Sequence, residues 1–489
     1  MKISLIEPRS PDYHVYSGLA IPRLGLPILG TILEQQGHDV TIYVEDLTEF
    51  NPQRAWDVFK SDLVGISITS STAPRGYAMA RLLGLRDIPV IFGGPHANFM
   101  PEEGLEFGDY VLRGEAEESF PAFVDALGNN RDLSSIPNLV YRDGEDIVHN
   151  ERQPLKCELD EIPMPNLELI ADHDQMKITP ALTTRGCPHN CTFCCVSGMF
   201  GRRYRMASID RVVEEAKSWK GKNVFLCDDN FTAVPSRTKE LLDRLLTENR
   251  LPKRWYAQVR ADTWRDEEMM DLLKRTNCSR VYVGYESVNQ KVLDDYNKHQ
   301  SVNDIKQSIQ GFHDYGIPVH GMFMFGAEHD DKGTFERTIG FASHNQIDTV
   351  QFLILTPVPG TQLFNRLVEE DRIITRDWSL YDGHHVVFEP ARMTPLELQL
   401  GTMRANRRFY SVRSSLRSLS TFRFGTAMLR YWGKRVVAAW HQTNSGFIKK
   451  LRSWQKGHLQ FPQRFSVKKI IKQLPFPAPE PKKLEIPAN

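Results

Sequence analysis

The 489-residue chain has no run of about 18 apolar residues, which a membrane-spanning helix needs. In the first residues, Met1–Pro8, the apolar stretch ends at Glu7 and is too short for a signal peptide. The segment is typical of a first strand. A disordered chain has few hydrophobic residues, whereas here 41% of the residues are hydrophobic and 25% are charged, as in an ordinary globular protein. We therefore expect a cytoplasmic, globular protein of about three domains.

The chain also lacks a net charge, but its positive and negative residues are unevenly distributed along the sequence. From Gly401 to Asn489 the sequence has 19 Lys and Arg against 2 Asp and Glu, so this tail carries +17 and the first 400 residues carry −17. Aromatic residues are interleaved with the basic ones. Such a tail either folds as a cap on the acidic body or contacts an anionic membrane surface; nucleic acid is not favoured. The last fifteen residues are rich in Pro and Lys, which indicates disorder.

Strand-like and helix-like patterns alternate along the first 130 residues, which predicts a parallel, doubly wound α/β sheet. Small residues follow several of the predicted strands, where the ligand of such a sheet binds. A bulky cofactor is one interpretation, and a plain flavodoxin-like domain with tight turns is the other. The predicted strands cover residues 2–7, 39–44, 63–69, 89–92 and 110–112, and the predicted helices cover 24–36 and 75–85.

This first part resembles the cobalamin-binding domain at the N-terminus of many radical S-adenosylmethionine enzymes. The resemblance rests on the order and spacing of Pro22–Leu26, Val64–Ser67 with its Ser-Ser-Thr loop, Phe92–His96 and Arg113–Glu115. It implies that cobalamin contacts Ser67, Ser70, Ser71, Thr72, Gly93, Gly94, Gly114 and Glu115.

A histidine can ligate cobalt in the wider cobalamin-binding fold, in the pattern Asp-x-His-x-x-Gly. Here Asp12 and His14 are followed by Gly18, one position late. Because many radical relatives lack this histidine, His14 is either a cobalt ligand or a polar loop residue, and the second interpretation is favoured.

Four of the seven cysteines lie within nine residues, in Cys187-Pro-His-Asn-Cys191-Thr-Phe-Cys194-Cys195. A disulfide framework would spread them more evenly, so the cluster indicates a metal site or catalysis. Three thiolates on one short loop can bind three irons of a cubane and leave the fourth iron open. Zinc is disfavoured, since no second pair of ligands follows.

The spacing Cys-x3-Cys-x2-Cys resembles the signature loop of the radical S-adenosylmethionine superfamily. The resemblance implies that Cys187, Cys191 and Cys194 bind a 4Fe–4S cluster, that Phe193 lies in the cofactor site, and that S-adenosylmethionine is cleaved there to a 5′-deoxyadenosyl radical. Cys195 lies outside the signature and is predicted to be a buried thiol rather than one facing the substrate.

The 200 residues after the loop alternate strands and helices, which predicts a partial (β/α) barrel with its active site at the carboxyl ends of the strands. Asp228, Asp229, Asn230, Arg260, Glu286 and Ser287 follow these strands. They either face the site or cap the next helix. By resemblance, Asp228 and Asn230 are near the amino group of S-adenosylmethionine, Arg260 pairs with its carboxylate, and Glu286 and Ser287 reach its ribose. Asp-Asp-Asn-Phe replaces the family's usual Gly-Gly-Glu-Pro, which puts the amino-group assignment in doubt.

We expect a cobalamin-binding Rossmann-like domain at 1–135, a linker at 136–172, a radical barrel of the TIM type at 173–395 and a mainly helical basic extension at 396–489. The resemblance implies a radical enzyme that methylates an unactivated carbon, using a 4Fe–4S cluster, S-adenosylmethionine and cobalamin. The alternatives are an oxidative cyclase of the magnesium-protoporphyrin ester type and a non-catalytic cobalamin sensor. A methylthiotransferase is disfavoured, because only Cys157 precedes Cys187.

The expected partners are a small-molecule or lipid-like substrate and an electron donor such as flavodoxin or ferredoxin. Peripheral membrane contact through the basic tail is a further expectation. The catalytic residues, the oligomeric state and the substrate are not indicated by the sequence.

Overall fold

A computed structural model describes residues 1–10, 20–153, 158–420 and 423–476. His14, Cys157 and the predicted disordered end lie outside these residues. Within them, two large sheets carry the fold, and no helix is both long and apolar enough to cross a membrane.

The first sheet has seven strands in the order β2-β1-β3-β4-β5-β6-β7. The first five strands in chain order run parallel, and the last two are antiparallel. These last two fall inside the segment that we expected to be a linker. The strands are β1 (Lys2–Glu7), β2 (Asp39–Val44), β3 (Leu63–Ser67), β4 (Val90–Gly93), β5 (Tyr110–Leu112), β6 (Leu139–Asp143) and β7 (Asp146–His149).

Helices cover both faces of this sheet, with a separate apolar core on each face, as a doubly wound fold requires. The sequence predicted the first and third helices to within about two residues. It did not predict the others, which are short or interrupted by proline. They are α1 (Gly25–Gln35), α2 (Pro52–Val58), α3 (Ala73–Gly84), α4 (Pro95–Phe99), α5 (Pro101–Gly104) and α6 (Ser119–Gly128).

The second sheet is an open, all-parallel half-barrel of six strands in the order β15-β14-β13-β12-β11-β8. A small antiparallel ladder, β9 with β10, lies beside it. The strands are β8 (Thr179–Ala181), β9 (Thr184–Arg185), β10 (Arg205–Met206), β11 (Asn223–Leu226), β12 (Arg254–Val259), β13 (Cys278–Glu286), β14 (Val319–Phe325) and β15 (Thr349–Ile354).

A helix follows each of these strands except β8, which leads directly to β9, and most of the helices begin at a side chain that accepts a hydrogen bond from the first turn. Asp266, Ser301 and Thr361 are examples. The helices are α7 (Val196–Phe200), α8 (Ile209–Glu215), α9 (Pro235–Thr247), α10 (Glu267–Arg275), α11 (Gln290–Asp295), α12 (Val302–Asp314), α13 (Thr334–His344) and α14 (Gln362–Glu369). The predicted half-barrel of alternating strands and helices is thus confirmed.

The C-terminal extension is helical and folds against both earlier regions. Phe409, Val437 and Leu451 join the core of the half-barrel. The chain then returns to the first sheet, where Phe476 packs against Phe50 with ring centroids 5.3 Å apart. The helices are α15 (Pro395–Phe409), α16 (Val412–Ser420), α17 (Phe424–Thr443), α18 (Ser445–Gln455) and α19 (Val467–Ile471).

Candidate active site between the two sheets

One cavity of about 490 Å³ lies where the carboxyl ends of the two sheets face each other. The first sheet contributes the ends of β1, β3, β4 and β5, and the order β2-β1-β3 puts a topological switch point there. The half-barrel contributes residues from the cysteine loop and from the end of β11. Its lining includes Leu5, Arg23, Gly25, Ser67, Gly93, Gly94, Gly114, Glu115, Leu182, Thr184, Cys195, Met199, Phe200, Cys227 and Asp229.

On the side of the first sheet the cavity is shaped by glycine. A Cβ added at Gly25, Gly93 or Gly114 would meet no atom within 4 Å, so each of these turns borders open space. Gly94 has φ +88°, and a Cβ there would approach the carbonyl oxygen of Ile68 to 2.8 Å. The predicted contacts at Ser67, Gly93, Gly94 and Gly114 therefore all lie at the cavity.

The Ser-Ser-Thr loop has another role. Of the residues described, those that line the cavity do not include Ser70, Ser71 or Thr72. The hydroxyl of Ser70 lies 3.2 Å from Nδ1 of His96, and Thr72 accepts a hydrogen bond from the backbone of Thr69 at 3.0 Å. The loop thus closes the turn into α3 outside the lining of this cavity, and its contact with a cofactor stays a prediction.

The three signature cysteines lie on one loop between β9 and α7, as half-buried free thiols. Thr192 in this loop donates a backbone hydrogen bond to Tyr296 at 3.3 Å and accepts one from Leu363 at 3.0 Å. The Phe193 ring packs edge-on against Tyr296, with centroids 4.9 Å apart. Phe193 therefore fixes the loop against the half-barrel.

Burial raises the pKa of all three thiols, that of Cys194 to about 12. In the described part of the chain, no three His, Cys, Asp or Glu side chains converge on a single metal ion. A cubane does not require that convergence, because each thiolate binds a different iron. Binding to iron also keeps a thiol deprotonated despite its burial.

Asp228 is fully buried, and its carboxylate is occupied by the protein itself. It accepts hydrogen bonds from the backbone N–H groups of Thr183 (2.8 Å) and Thr184 (2.6 Å) and from the Thr183 hydroxyl (3.0 Å). Asp228 thus holds the segment that leads into the cysteine loop. Its contact with the amino group of S-adenosylmethionine stays a prediction, against which its carboxylate is fully buried.

Asp229 and Asn230, the next two residues, do not share the hydrogen-bond partners of Asp228. Asp229 lines the cavity, and burial, followed by the negative charge of Asp228, raises its pKa to about 6. Asn230 is 3% exposed, yet neither its amide oxygen nor its amide nitrogen has a hydrogen-bond partner. A buried amide without partners costs free energy unless a ligand supplies them, so Asn230 suits a ligand-binding role.

Glu286 ends β13 in a left-handed conformation, with φ +61°, at a register shift against β14. Its carboxylate accepts a hydrogen bond from Nζ of Lys298 at 2.7 Å. Burial lowers the pKa of Lys298, but the negative charges of Glu286 and Cys191 and the hydrogen bond to Glu286 together outweigh burial, and the net shift is upward. Lys298 follows a helix rather than a strand, so no sequence pattern indicated it.

The side chains of Arg260 and Ser287 make hydrogen bonds to neighbouring backbone groups of the protein. Nη2 of Arg260 donates to the carbonyl oxygen of Lys298 at 3.1 Å, and the hydroxyl of Ser287 accepts from the backbone of Asn289 at 3.1 Å. Ser287 thus holds the turn before α11, whose N-cap is Asn289, and Nε of Arg260 makes no hydrogen bond but lies 3.6 Å from the Asp262 carboxylate.

Buried ion pairs join the two sides of the cavity. Glu115 and Glu117, from the first region, accept hydrogen bonds from Arg185 at 3.0 and 2.6 Å, and Arg205 also binds Glu115 at 2.8 Å. Burial raises the pKa of Glu115, but Arg205 and Arg185 outweigh it and the net shift is downward. Glu115 lines the cavity, and its carboxylate bridges the two regions; its contact with cobalamin stays a prediction.

The sequence missed the cavity position of two thiols. Cys195 and Cys227 are half-buried and both line the cavity, although Cys195 was predicted to be a buried thiol. Its position one residue after the signature was a signal that it faces the same space as the loop.

The profile of the Radical SAM superfamily matches residues 182–342, and that of the B12 binding domain matches residues 14–124. An uncharacterized methyltransferase of Pyrococcus horikoshii is 32% identical over 402 residues, which are 78% of this chain and 86% of the relative. Bacteriochlorophyllide d C-12(1)-methyltransferase of Chlorobaculum tepidum is 26% identical over 420 residues, 83% of this chain and 86% of the relative. Anaerobic magnesium-protoporphyrin IX monomethyl ester cyclases are also similar.

Among solved structures, the radical S-adenosylmethionine methyltransferase TsrM from Kitasatospora setae, with cobalamin and a [4Fe-4S] cluster bound, matches with a TM-score of 0.62 at 19% identity. The match covers 76% of this chain and 75% of TsrM. At this identity the likeness shows a shared fold, which agrees with the two sheets described above. The chain belongs to the radical S-adenosylmethionine enzymes that carry an N-terminal B12-binding domain.

Proposed function

We propose that the protein is a cobalamin-dependent radical enzyme that transfers a methyl group to an unactivated carbon of a small-molecule or lipid-like substrate. The observation that carries this proposal is the shared cavity. The glycine turns of the B12-binding domain and the residues next to the cysteine loop border the same space, so two cofactors and a substrate can meet there.

The residues present fit both cofactors. Cys187, Cys191 and Cys194 are free thiols on one loop and would hold the cluster. Gly93 and Gly114 leave open space for a large ring system, and Ser67 adds a hydroxyl at its edge. The buried amide of Asn230, which has no partner in the protein, would serve as a donor and an acceptor for S-adenosylmethionine.

When bound, the cluster with S-adenosylmethionine supplies a radical that removes hydrogen from carbon, and cobalamin supplies the methyl group. The chain's own contribution is enclosure and orientation. The wall is mostly apolar, which excludes water from a reactive site. The Glu115–Arg185–Glu117 ion pairs fix the B12-binding domain against the segment that precedes Cys187.

The test uses anaerobically purified protein reconstituted with iron, sulfide and hydroxocobalamin, with dithionite as the reductant. We expect iron and cobalt in a ratio of about four to one. We expect two products from S-adenosylmethionine: S-adenosylhomocysteine, which marks loss of the methyl group, and 5′-deoxyadenosine, which marks reductive cleavage. Iron without cobalt would contradict the proposal.

The Cys191→Ala variant should lose iron and 5′-deoxyadenosine formation, while the matched variant Cys278→Ala, at a buried thiol of β13, should keep both. Full retention of cleavage by Cys191→Ala would contradict the proposed cluster mechanism, whereas a wild type that binds cobalt but forms neither product would favour the sensor alternative.

An oxidative cyclase is the second candidate, and the similarity to the ester cyclases favours it. The same assay separates the two reactions. Formation of 5′-deoxyadenosine with no S-adenosylhomocysteine would favour the cyclase, because a cyclase does not consume the methyl group. A flavodoxin or ferredoxin as the natural electron donor stays a prediction, tested by replacing dithionite with either protein.

A further inference from the structure

The outer surface of α16 and α17 is unusually apolar for this protein. Of the twelve large hydrophobic side chains that are exposed in the described residues, seven lie between residues 412 and 432. We call this surface the α16–α17 face. It consists of Val412, Leu416, Leu419, Phe424, Met428, Tyr431 and Trp432.

Helix α16 is oriented opposite to an ordinary surface helix. Val412, Leu416 and Leu419, at spacing i, i+4 and i+7, point outward and are 42–58% exposed. Ser415 and Ser418 point inward and are buried. A helix that packs on a protein core buries its apolar stripe, so this helix presents to its surroundings the stripe that it would otherwise bury.

This orientation is held by polar contacts beneath the helices. Arg430 of α17 is 6% exposed; its Nε donates to the carbonyl oxygen of Asp348 at 3.0 Å, and its Nη1 to the hydroxyl of Ser414 at 2.8 Å. Thr426 donates to the Asp348 carboxylate at 2.8 Å. The α16–α17 face is therefore a fixed surface and does not result from loose packing.

The charge around the α16–α17 face has one sign. No Asp or Glu occurs between residues 398 and 479, and that stretch has 17 Lys and Arg. Arg413, Arg417, Lys434 and Arg435 are exposed on the same two helices. An apolar stripe flanked by basic residues matches the interior and the headgroups of an anionic lipid surface at the same time.

We propose that the α16–α17 face docks the protein on an anionic lipid surface, without crossing it. Two other occupants fit less well. In a symmetric dimer the basic residues of the same two helices would face each other, and these helices carry no Asp or Glu that would pair with them across the interface. Nucleic acid would match the charge, and bases could stack on Phe424, Tyr431 and Trp432. It would nevertheless leave the exposed aliphatic side chains Val412, Leu416, Leu419 and Met428 in water, whereas a lipid surface buries them.

Co-sedimentation of the full chain with vesicles tests this proposal, independently of any activity. We expect binding to phosphatidylcholine vesicles that contain phosphatidylglycerol, and much weaker binding to phosphatidylcholine alone. The triple variant Leu416→Ser, Phe424→Ser, Met428→Ser should weaken binding by about tenfold or more, because apolar burial contributes to interfacial affinity. The control Leu85→Ser, at a residue that is 44% exposed on the first region, should bind as the wild type does.

A second readout locates the contact. Trp432 is 40% exposed on this face, so brominated lipids should quench part of the tryptophan fluorescence, and Trp432→Phe should remove that part. Unchanged circular dichroism would show that each variant is folded.

Three outcomes would overturn the proposal. One is vesicle binding that the triple variant retains in full. Another is a dimer that the triple variant dissociates, in a wild type that does not bind vesicles. The third is equal binding of RNA by wild type and triple variant without vesicle binding, which would assign the basic charge to nucleic acid.

Discussion

The two walls of the cavity are built in opposite ways. The B12-binding wall is open because side chains are missing from it: Gly25, Gly93 and Gly114 leave space that any other side chain would enter. The half-barrel wall is held from behind by buried polar groups that have specific partners. Asp228, which does not itself line the cavity, is the main example, because it binds Thr183 and Thr184. Motif residues therefore have different roles on the two sides: on one side they leave space for a ligand, and on the other they hold the chain in place.

This difference predicts opposite sensitivities. Adding atoms should damage the B12-binding wall, whereas removing atoms should damage the half-barrel wall. A cofactor count that separates iron from cobalt shows which wall a substitution has affected.

The largest effect is expected from Asp228→Ala. The change leaves two backbone N–H groups and a hydroxyl buried without an acceptor, at a cost of roughly 3 kcal/mol or more. Because these groups precede the cysteine loop, we expect loss of nearly all iron after reconstitution, measured by metal analysis. Asp271→Ala, at an exposed position on α10, is the control and should keep its iron. Full iron content in Asp228→Ala would show that the loop forms without this carboxylate.

Gly93→Leu should have the next largest effect, on cobalt instead of iron. Its side chain would enter the open space of the cavity, and we expect cobalt content after reconstitution to fall by about tenfold at unchanged iron, since crowding a binding site costs a few kcal/mol. Gly84→Leu serves as the control, because a Cβ there also meets no atom within 4 Å but lies outside the cavity. A cobalt content equal to that of wild type would mean that cobalamin does not occupy this part of the cavity.

A smaller effect is expected where the two walls are joined. Glu115→Gln removes the negative charge between Arg185 and Arg205 but leaves Glu117 in place. We expect unfolding to be easier by about 2 kcal/mol, which is less than the loss of a whole buried ion pair. Thermal melting measures this. Asp125→Asn, which breaks an exposed pair with Arg131, should change stability by less than about 0.5 kcal/mol. Equal melting of both variants would argue against the joining role.

Local pattern was enough for much of the architecture. Continuous apolar runs such as Leu63–Ser67 and capped amphipathic segments such as Val302–Asp314 depend on neighbours in sequence, and the bounds of the first were predicted to within two residues. The cysteine spacing likewise places three thiols on one loop whatever surrounds them. These features, with the motifs of both regions, determined the family and the fold from the sequence alone.

The tertiary structure decided what each polar residue does. Asp228, Asp229 and Asn230 are consecutive and each suits a site, yet the twist at the end of β11 buries the first against Thr183, turns the second to the cavity and leaves the third without partners. The pairing of Glu115 with Arg185 and the outward stripe of α16 depend on segments distant in the chain. The sequence determines the chemical type of each side chain and, through short-range forces, the local conformation of the chain. The burial of a side chain and its hydrogen-bond partners depend on contacts that form only when the two sheets and the C-terminal helices pack together.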